Sequence, residues 1–406
     1  MVVSSGCPYS PDELKFLASK FHVTNMEVME PEPYTLFKAF REHLPSFRSE
    51  LHGGFHVFTR HADQRAILRD PQHFSSRTVT IPPLPGGGFG PPTESDPPNH
   101  ALYRRALDLY FTTKRFNEKR DELRDKAVSF LEPMVRRGSG EFMAEFCRPL
   151  PTVTFFLLAG LPLEDLPRLQ SWTDQLLHGH GDEAAREHNS AVIAPSVHKY
   201  FLDRLEEREA MSDPPDDVLT GVTRAKLGDV PWSRRDQILA IMQLVFAGLE
   251  TITSMLGLAL LYLAEHPEQL TQLVDDPELI PDAVEEFLRY NTSEQTVRTV
   301  LSDVEVGGVQ LHKGDRVQLP LASSGRDDLA FPDADTVDFT RRPARHLAFG
   351  AGPHRCMGSH VARTELRIAL EEVVRMMPRF ELAPGAKPRR TWGMVFGLAN
   401  LEVVLR

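Results

Sequence analysis

The sequence predicts a mainly α-helical fold with minor β sheets, in one large domain. Apolar residues recur at helical spacing over most of the 406-residue chain. The strongest helical segment, from Trp232 to about Glu265, is apolar on most faces, so we expect it to be buried at the centre of the domain. Strand-like alternation is confined to short segments. Because no linker interrupts the chain, we assign residues 31–406 to this domain and residues 1–30 to an N-terminal extension.

Local signals place the other elements. Ser233 is the expected N-cap of the central helix, and Pro267 lies beyond its C-terminal end. Further helices are predicted at residues 113–137, 166–177, 183–211 and 361–377. Strands are predicted at residues 55–59, 304–309, 315–319 and 401–405.

Composition and charge exclude some classes of function. The formal net charge of −11 and the pI near 5.8 argue against general nucleic-acid binding, which usually leaves a basic footprint. The N-terminus lacks the pattern of a secretory signal, and the longest apolar stretch falls short of the ~20 residues that cross a bilayer. We therefore expect a cytoplasmic protein that binds neither nucleic acid nor a membrane.

The three cysteines do not form a disulfide framework or a zinc motif, but one of them has an unusual setting. We expect no role for Cys7 or Cys147. Cys356 lies in the stretch Phe349-Gly-Ala-Gly-Pro-His-Arg-Cys-Met-Gly358, where glycines allow the chain to approach a flat ligand closely. A helix predicted just after it would point backbone N–H groups at the sulfur and favour a metal-binding thiolate.

This stretch resembles the haem-binding loop of the cytochrome P450 family, F-G-x-G-x-[HR]-x-C-x-G, with every fixed position filled. The resemblance extends from about Pro31 to the end of the chain. It implies haem b between the long central helix and the cysteine-loop helix, with Cys356 as the axial iron ligand. Phe349 and Gly350 would then lie beside the cofactor.

The central helix carries Ala247-Gly-Leu-Glu-Thr251. The structural explanation of such a segment is a threonine that bonds back to a carbonyl one turn earlier and a solvated or paired glutamate. The segment also resembles the family's oxygen-activation motif, A-G-x-[DE]-T. The resemblance implies that Gly248 leaves room for O2, and that Thr251 and Glu250 deliver protons there.

Glu286 and Arg289 stand three residues apart on one helix. A weak surface ion pair is the common explanation of this spacing. The pair also matches the family's E-x-x-R motif, in which it is buried, and Arg341 resembles the third member that bridges to it. The resemblance implies a scaffold that holds the cysteine loop.

A cationic pair at i and i+4, His100 and Arg104, is mildly unfavourable on a bare helix, so an anionic partner would explain it. The segment is similar to the family's D-x-P-x-H-x-x-x-R helix, whose side chains meet the haem propionates. Arg298 and His354 occupy the other matching positions. Each cation alone would be read as solvated surface; together they favour carboxylate anchoring.

The substrate pocket is expected to be apolar with a few polar groups, as for a hydrophobic small molecule. The Pro- and Gly-rich loop at 81–95 is either a connector or a cover for this pocket. The segment Trp392-Gly-Met-Val-Phe-Gly397 looks like that of terpene-hydroxylating members, which favours a terpenoid or similar ring system. The candidate lining residues are Gln243, Phe246, Ala247, Glu294, Gln295, Val395 and Phe396.

Two positions depart from the family pattern. Gly325 stands where relatives usually have asparagine, from which we expect a local structural effect only. Residues 291–295 lack the usual proline.

The resemblance implies a monooxygenase that takes O2 and, through partner proteins, electrons from NAD(P)H. No fused flavin or iron–sulfur domain is recognisable, so a ferredoxin and its reductase are the expected donors. A peroxide-driven peroxygenase of the same fold and a non-enzymatic haem sensor are the alternatives, and the Glu250–Thr251 pair argues against both. The expected basic docking residues are Arg105, Lys114, Arg115, Arg345 and Arg355.

Overall fold

The computed structural model describes residues 7–29, 33–83, 88–178, 187–341 and 345–406. Its α-helices are α1 (Pro11–Ser19), α2 (Met26–Met29), α3 (Pro33–His43), α4 (His61–Leu68), α5 (Asn99–Asp108), α6 (Thr113–Asn117), α7 (Arg120–Arg137), α8 (Pro149–Ala159), α9 (Leu166–His178), α10 (Ala194–Ala210), α11 (Val218–Arg224), α12 (Arg234–Glu265), α13 (Pro267–Asp275), α14 (Ile280–Tyr290), α15 (Leu321–Ser324) and α16 (Ser359–Met376).

The strands are short, alternate with the helices along the chain, and form several small sheets. They are β1 (Ser46–Ser49), β2 (Phe55–Phe58), β3 (Phe74–Ser75), β4 (Ser139–Glu141), β5 (Lys226–Leu227), β6 (Val230–Pro231), β7 (Gln295–Val300), β8 (Val304–Val306), β9 (Val309–Leu311), β10 (Arg316–Pro320), β11 (Phe380–Leu382), β12 (Arg390–Thr391), β13 (Gly397–Leu398) and β14 (Glu402–Leu405). The mainly α-helical prediction is thus confirmed.

Helix α12 forms the centre of the molecule. Its 32 residues correspond to roughly 48 Å at about 1.5 Å per residue. Ser233 caps it, because its hydroxyl accepts the Asp236 N–H at 3.1 Å. Among the described residues this is the one helix long and apolar enough to cross a bilayer, yet 72% of its most apolar window is buried inside the protein.

The largest sheet has five strands in the order β1-β2-β10-β7-β3. Strand β7 runs antiparallel to β10, with Arg298 opposite Val317 and Thr296 opposite Leu319. Because successive side chains on a strand point to opposite faces, Thr296 and Arg298 share one face while Gln295 and Val297 share the other. This alternation decides which residues of β7 reach the site described below.

The described part of the N-terminal segment packs against the rest of the domain. The Phe21 ring is fully buried and meets Phe37, Phe40 and Phe47 edge-on, with centroids 5.5–6.2 Å apart. Residues on both sides of position 30 therefore contribute to one apolar core. The division into an extension and a domain remains a sequence-based prediction.

Several predicted elements differ in their bounds. The predicted helix at 113–137 is divided into α6 and α7, because the Lys119 N–H bonds the Phe116 carbonyl at 2.9 Å and closes a tighter turn. The predicted strand at 304–309 is the hairpin β8–β9, which turns at Gly307 and Gly308, both at positive φ. The predicted helix at 183–211 begins partly outside the described residues and continues as α10.

Candidate active site

The cysteine loop is closed by its own backbone and by a contact with α4. The Cys356 N–H donates to the Phe349 carbonyl at 2.9 Å. Gly350 and Gly352 both have positive φ, which favours glycine. A Cβ on Gly352 would lie 2.3 Å from the Leu68 carbonyl oxygen. The loop therefore requires glycine there, because it lies directly against the C-terminal end of α4.

The Cys356 side chain lies in a recess of the protein, which we call the cleft. Burial raises the pKa of its thiol to about 11, and the charge of Glu294 acts in the same direction. A hydrogen bond from the Gly358 amide and the charges of Arg104 and Arg355 oppose this shift. Yet Cys356 is among the exposed residues. Both observations hold for a side chain inside a deep recess, which is open to small molecules but surrounded by protein.

A cation at the sulfur would stabilise the thiolate that this environment otherwise disfavours. Among the described residues, no group of three His, Cys, Asp or Glu side chains forms a metal site. A metal at Cys356 would therefore take its other ligands from a bound group, which is the ligand set of a haem iron.

Helix α12 presents an opening in an otherwise buried stretch. Ala247 and Gly248 are exposed although they lie in the middle of the helix, and a Cβ built on Gly248 would meet no atom within 4 Å. The Thr251 hydroxyl donates to the Ala247 carbonyl at 2.6 Å, as the structural explanation of this segment predicted. Met357, adjacent to Cys356, packs against the core cluster to which this part of α12 belongs.

Basic side chains from three separate segments meet at one side of the site. The rings of His100 and His354 lie 3.9 Å apart between centroids. Burial, aided by the charges of Arg298, His100 and Arg104, lowers the pKa of His354 to about 2. Burial likewise lowers the pKa of Arg298 to about 10, although Asp96 opposes the shift. The cluster therefore lacks sufficient negative charge of its own.

His354 shows where that charge would be placed. Its Nε2 atom is buried and has no hydrogen-bond partner among the described residues. A buried polar atom without a partner is costly, and a carboxylate would satisfy it. The donor set thus fits the two propionates of a haem.

Arg104 has partners within the protein. Its Nε lies 3.0 Å from the Asp108 carboxylate, and its Nη1 donates to the Arg355 carbonyl at 2.7 Å. The positive charge of Arg104 beside His100 is therefore balanced by Asp108 within the protein, so an external anion is not needed to explain the i,i+4 pair. Arg104 instead joins α5 to the cysteine loop.

The Glu286–Arg289 pair is completely buried, so the surface explanation is wrong. Two hydrogen bonds of 2.7 and 2.8 Å join the guanidinium to the carboxylate, and the Arg341 Nε donates to the same carboxylate at 3.1 Å. Arg289 also donates to the Gly325 carbonyl at 2.6 Å. A Cβ on Gly325 would lie 1.9 Å from the Arg289 carbonyl oxygen, which explains glycine at this position.

Two predicted pocket residues do not line the cleft. The Gln295 side chain is buried in the sheet, where it donates to the Gly393 carbonyl and accepts from Gln318 at 3.0 Å. Phe396 stacks on Phe37 in the apolar core, with centroids 6.3 Å apart. Both lie on the face opposite Glu294, so their assignment to the pocket is corrected.

The other pocket candidates remain near the cleft. Gln243 and Phe246 are half-buried on α12, next to the exposed Ala247. Glu294 and Val395 form an isolated antiparallel bridge and are also half-buried.

The loop at 81–95 is described except for residues 84–87. The Glu94 carboxylate accepts the N–H groups of Phe89 and Gly90, and a Cβ on Gly90 would lie 2.7 Å from Cβ of Leu239 on α12. The loop therefore lies on the central helix, just before its exposed stretch.

Sequence reasoning missed part of a basic surface outside the cysteine loop. A cleft of about 310 Å³ is lined there by loop residues and by cations from α4 and α16. Arg65 and Arg69 belong to it because the end of α4 contacts Gly352. Their i,i+4 spacing in the sequence could have indicated that both lie on one face of a helix. Of the predicted docking residues, Arg345 and Arg355 line this cleft, whereas Arg115 is paired with Asp216. We call this feature the basic cleft. Arg65, Arg69, Arg345 and Arg355 supply its positive charge, whereas Arg363, which also lines it, is paired with Glu285.

Comparisons with known proteins agree with this geometry. The family model described as cytochrome P450 matches residues 176–401. Cytochrome P450 130 of Mycobacterium tuberculosis is 32% identical over 383 residues, covering 90% of this chain and 93% of that protein. The mycinamicin IV hydroxylase/epoxidase of Micromonospora griseorubida is 32% identical over 360 residues, covering 86% and 89%.

The fold is shared with solved structures. The crystal structure of cytochrome P450 CYP101C1 superposes with a TM-score of 0.85 at 28% sequence identity, covering 95% of this chain and 97% of that one. The chain belongs to the cytochrome P450 family, whose members are haem-containing monooxygenases.

Proposed function

We propose that Cys356 would hold the iron of haem b and that the protein inserts one oxygen atom of O2 into a hydrophobic small molecule. The observation that carries this proposal is the Cys356 thiol, which is open to small molecules and yet surrounded by protein. The exposed Ala247–Gly248 stretch in the middle of α12 supports it. The bound haem supplies the dioxygen chemistry, which a thiolate ligand favours.

The basic side chains would orient this group. His354 and His100, whose rings are in tilted contact, and the buried Arg298 would receive two carboxylates. Arg104 would act indirectly, because it fixes the Arg355 carbonyl one residue before the ligand. Arg363, over the Phe349 ring at 4.5 Å, holds the loop from its outer side. The Glu286–Arg289–Arg341 cluster is assigned to scaffolding.

Thr251 and Glu250 are assigned to proton delivery. The Thr251 hydroxyl donates to the Ala247 carbonyl, but its oxygen keeps lone pairs that can accept from water or from Glu250. If the hydroxyl turns away from Ala247, it can donate its proton towards the open space beside Gly248 while its oxygen accepts a proton from water or from Glu250, so a relay can pass through Thr251. Gly248 leaves the space beside it open.

The substrate is proposed to be a terpenoid or similar ring system. The support is the Trp392–Gly397 segment, which adjoins Glu294 through the Val395 bridge. The Micromonospora relative is named a hydroxylase and an epoxidase. For this chain we infer insertion into a C–H bond or addition to a C=C bond.

Electrons are proposed to come from NAD(P)H through a reductase and a ferredoxin that docks at the basic cleft. The protein as a whole is acidic, with a formal net charge of −11, so this local concentration of arginines would steer an acidic partner to the face nearest Cys356. We propose that the enzyme works in the cytoplasm.

The decisive experiment is the absorption spectrum of the dithionite-reduced protein under carbon monoxide. A strongly red-shifted Soret band is expected for wild type and for Cys7→Ser, the matched control. The same band should disappear in Cys356→Ser. A band typical of histidine-ligated haem in wild type, or an unchanged spectrum in Cys356→Ser, would reject the proposal.

A further inference from the structure

The carboxylate of Glu294 faces the cleft. Glu294 directly precedes β7. On this strand the Arg298 Nη1 donates to the Thr296 hydroxyl at 2.9 Å, so these two alternate residues share one face. By this alternation Glu294 belongs to the face of Arg298, whereas Gln295 is turned into the sheet. The charge of Glu294 also raises the pKa of the Cys356 thiol, which agrees with this placement.

Nothing in the described part of the chain neutralises this carboxylate. Glu294 forms no hydrogen bond or ion pair with any described residue, and burial by itself raises its pKa to about 7. The other acids near the site are engaged: Asp96 accepts from Ser75 and Ser76, and Asp108 pairs with Arg104. A carboxylate in such a recess, without a partner in the protein, would gain from a ligand group that pairs with it.

We propose that Glu294 is the polar anchor of the substrate site and that the substrate is an apolar ring compound carrying a positively charged nitrogen. The inference rests on the proposed function, since it takes this cleft to be the substrate site. A cation suits the site better than a neutral donor, because a charge-assisted hydrogen bond or ion pair is stronger in a recess poor in water. The apolar body would then lie along Phe246, Ala247 and Val395.

Two probes of equal shape separate charge from fit. The first is 1-adamantyltrimethylammonium, whose quaternary nitrogen has no lone pair and cannot ligate iron. The second is 1-tert-butyladamantane, in which carbon replaces that nitrogen. Dissociation constants for the haem-loaded protein would be measured at pH 8 by absorption titration and, for the ammonium probe, also by calorimetry.

Wild type is expected to bind the ammonium probe at least about 10-fold more tightly than the neutral one, the range of a charge-assisted contact. Glu294→Gln should remove this preference and leave the affinity for the neutral probe unchanged, whereas Glu294→Asp should retain part of it. Glu305→Gln makes the same change at an exposed strand position and should alter neither constant. Glu294→Met repeats the test should the glutamine variant fail to fold.

An equal preference for the ammonium probe in wild type and in Glu294→Gln or Glu294→Met would overturn the inference. So would the absence of ammonium binding by a wild-type protein that keeps the red-shifted carbon monoxide band. In both cases the proposed function stands. Loss of that band in wild type itself would instead reject the proposed function.

Discussion

The imidazole rings of His100 and His354 lie 3.9 Å apart between centroids, although α5 and the cysteine loop are far apart in the sequence. The His354 Nε2 atom is buried and has no partner among the described residues. Two basic rings in contact next to Arg298 repel one another when protonated, and a bound anion would reduce this repulsion. This arrangement gives the first prediction.

Replacement of His354 by Leu should accelerate haem loss about 10-fold, since one hydrogen bond to a charged carboxylate is removed. The rate is measured by transfer of haem to apomyoglobin. His360→Leu, at an exposed position of α16, is the control. Equal rates in the two variants would show that His354 does not hold the propionate.

Thr251→Ala should separate electron consumption from product formation. NADH oxidation is expected to continue, while product falls by roughly 10-fold or more and hydrogen peroxide replaces it, because the proton relay is interrupted. Peroxide and product are measured per NADH oxidised. Thr271→Ala is a close control, since Thr271 also donates to a carbonyl four residues earlier but lies on exposed α13. Unchanged coupling in Thr251→Ala would contradict the assignment.

Gly325→Ala should destabilise the fold by about 3 kcal/mol, at the upper end of the cost of overpacking. The new methyl group would lie 1.9 Å from the Arg289 carbonyl oxygen and displace the helix that carries the buried ion pair. The free energy of unfolding is measured in urea. For Gly393→Ala, where a Cβ would meet its nearest atom at 3.9 Å, little change is expected. Similar stability of the two variants would argue against this close approach.

Stability should depend on pH through Glu365 of α16. Burial raises the pKa of this carboxyl to about 8 from 4.5, although a hydrogen bond from Thr154 opposes the shift. The folded state therefore binds the Glu365 proton more tightly than the unfolded state does. The stabilisation of the folded state that follows from this is lost as pH rises from 4.5 towards 8.

Glu365→Gln should match wild type near pH 5 and exceed its stability above pH 8, by on the order of 3 kcal/mol. Urea unfolding across this range measures the difference, with the exposed Glu305→Gln as control. A constant difference between wild type and Glu365→Gln at all pH values would exclude titration of Glu365 as the cause.

Charge reversal in the basic cleft should weaken electron transfer. Arg69→Glu and Arg355→Glu are expected to raise the KM for ferredoxin roughly 10-fold, with the effect shrinking at high salt. The exposed Lys387→Glu, outside this cleft, is the control. If all three variants behave alike, the partner docks elsewhere.

Elements with a local signal could be predicted from the amino-acid sequence alone. The cysteine loop, the apolar run of α12 and the spacing of Glu286 and Arg289 are contiguous patterns, and the backbone requirements of glycine and helical periodicity act over a few residues. From these patterns the fold class and the positions of Cys356 and Thr251 follow.

Which side chains contact each other, by contrast, depends on the packing of the folded chain. Gln295 and Glu294 are neighbours in sequence, yet one is turned into the sheet and the other towards the cleft, because the pairing of β7 fixes its two faces. Arg65 lines the basic cleft because Gly352 allows α4 to lie directly against the cysteine loop. The first contact joins residues 23 positions apart, and the second joins segments that are distant in the sequence. Both depend on packing between elements, which no local pattern in the chain encodes.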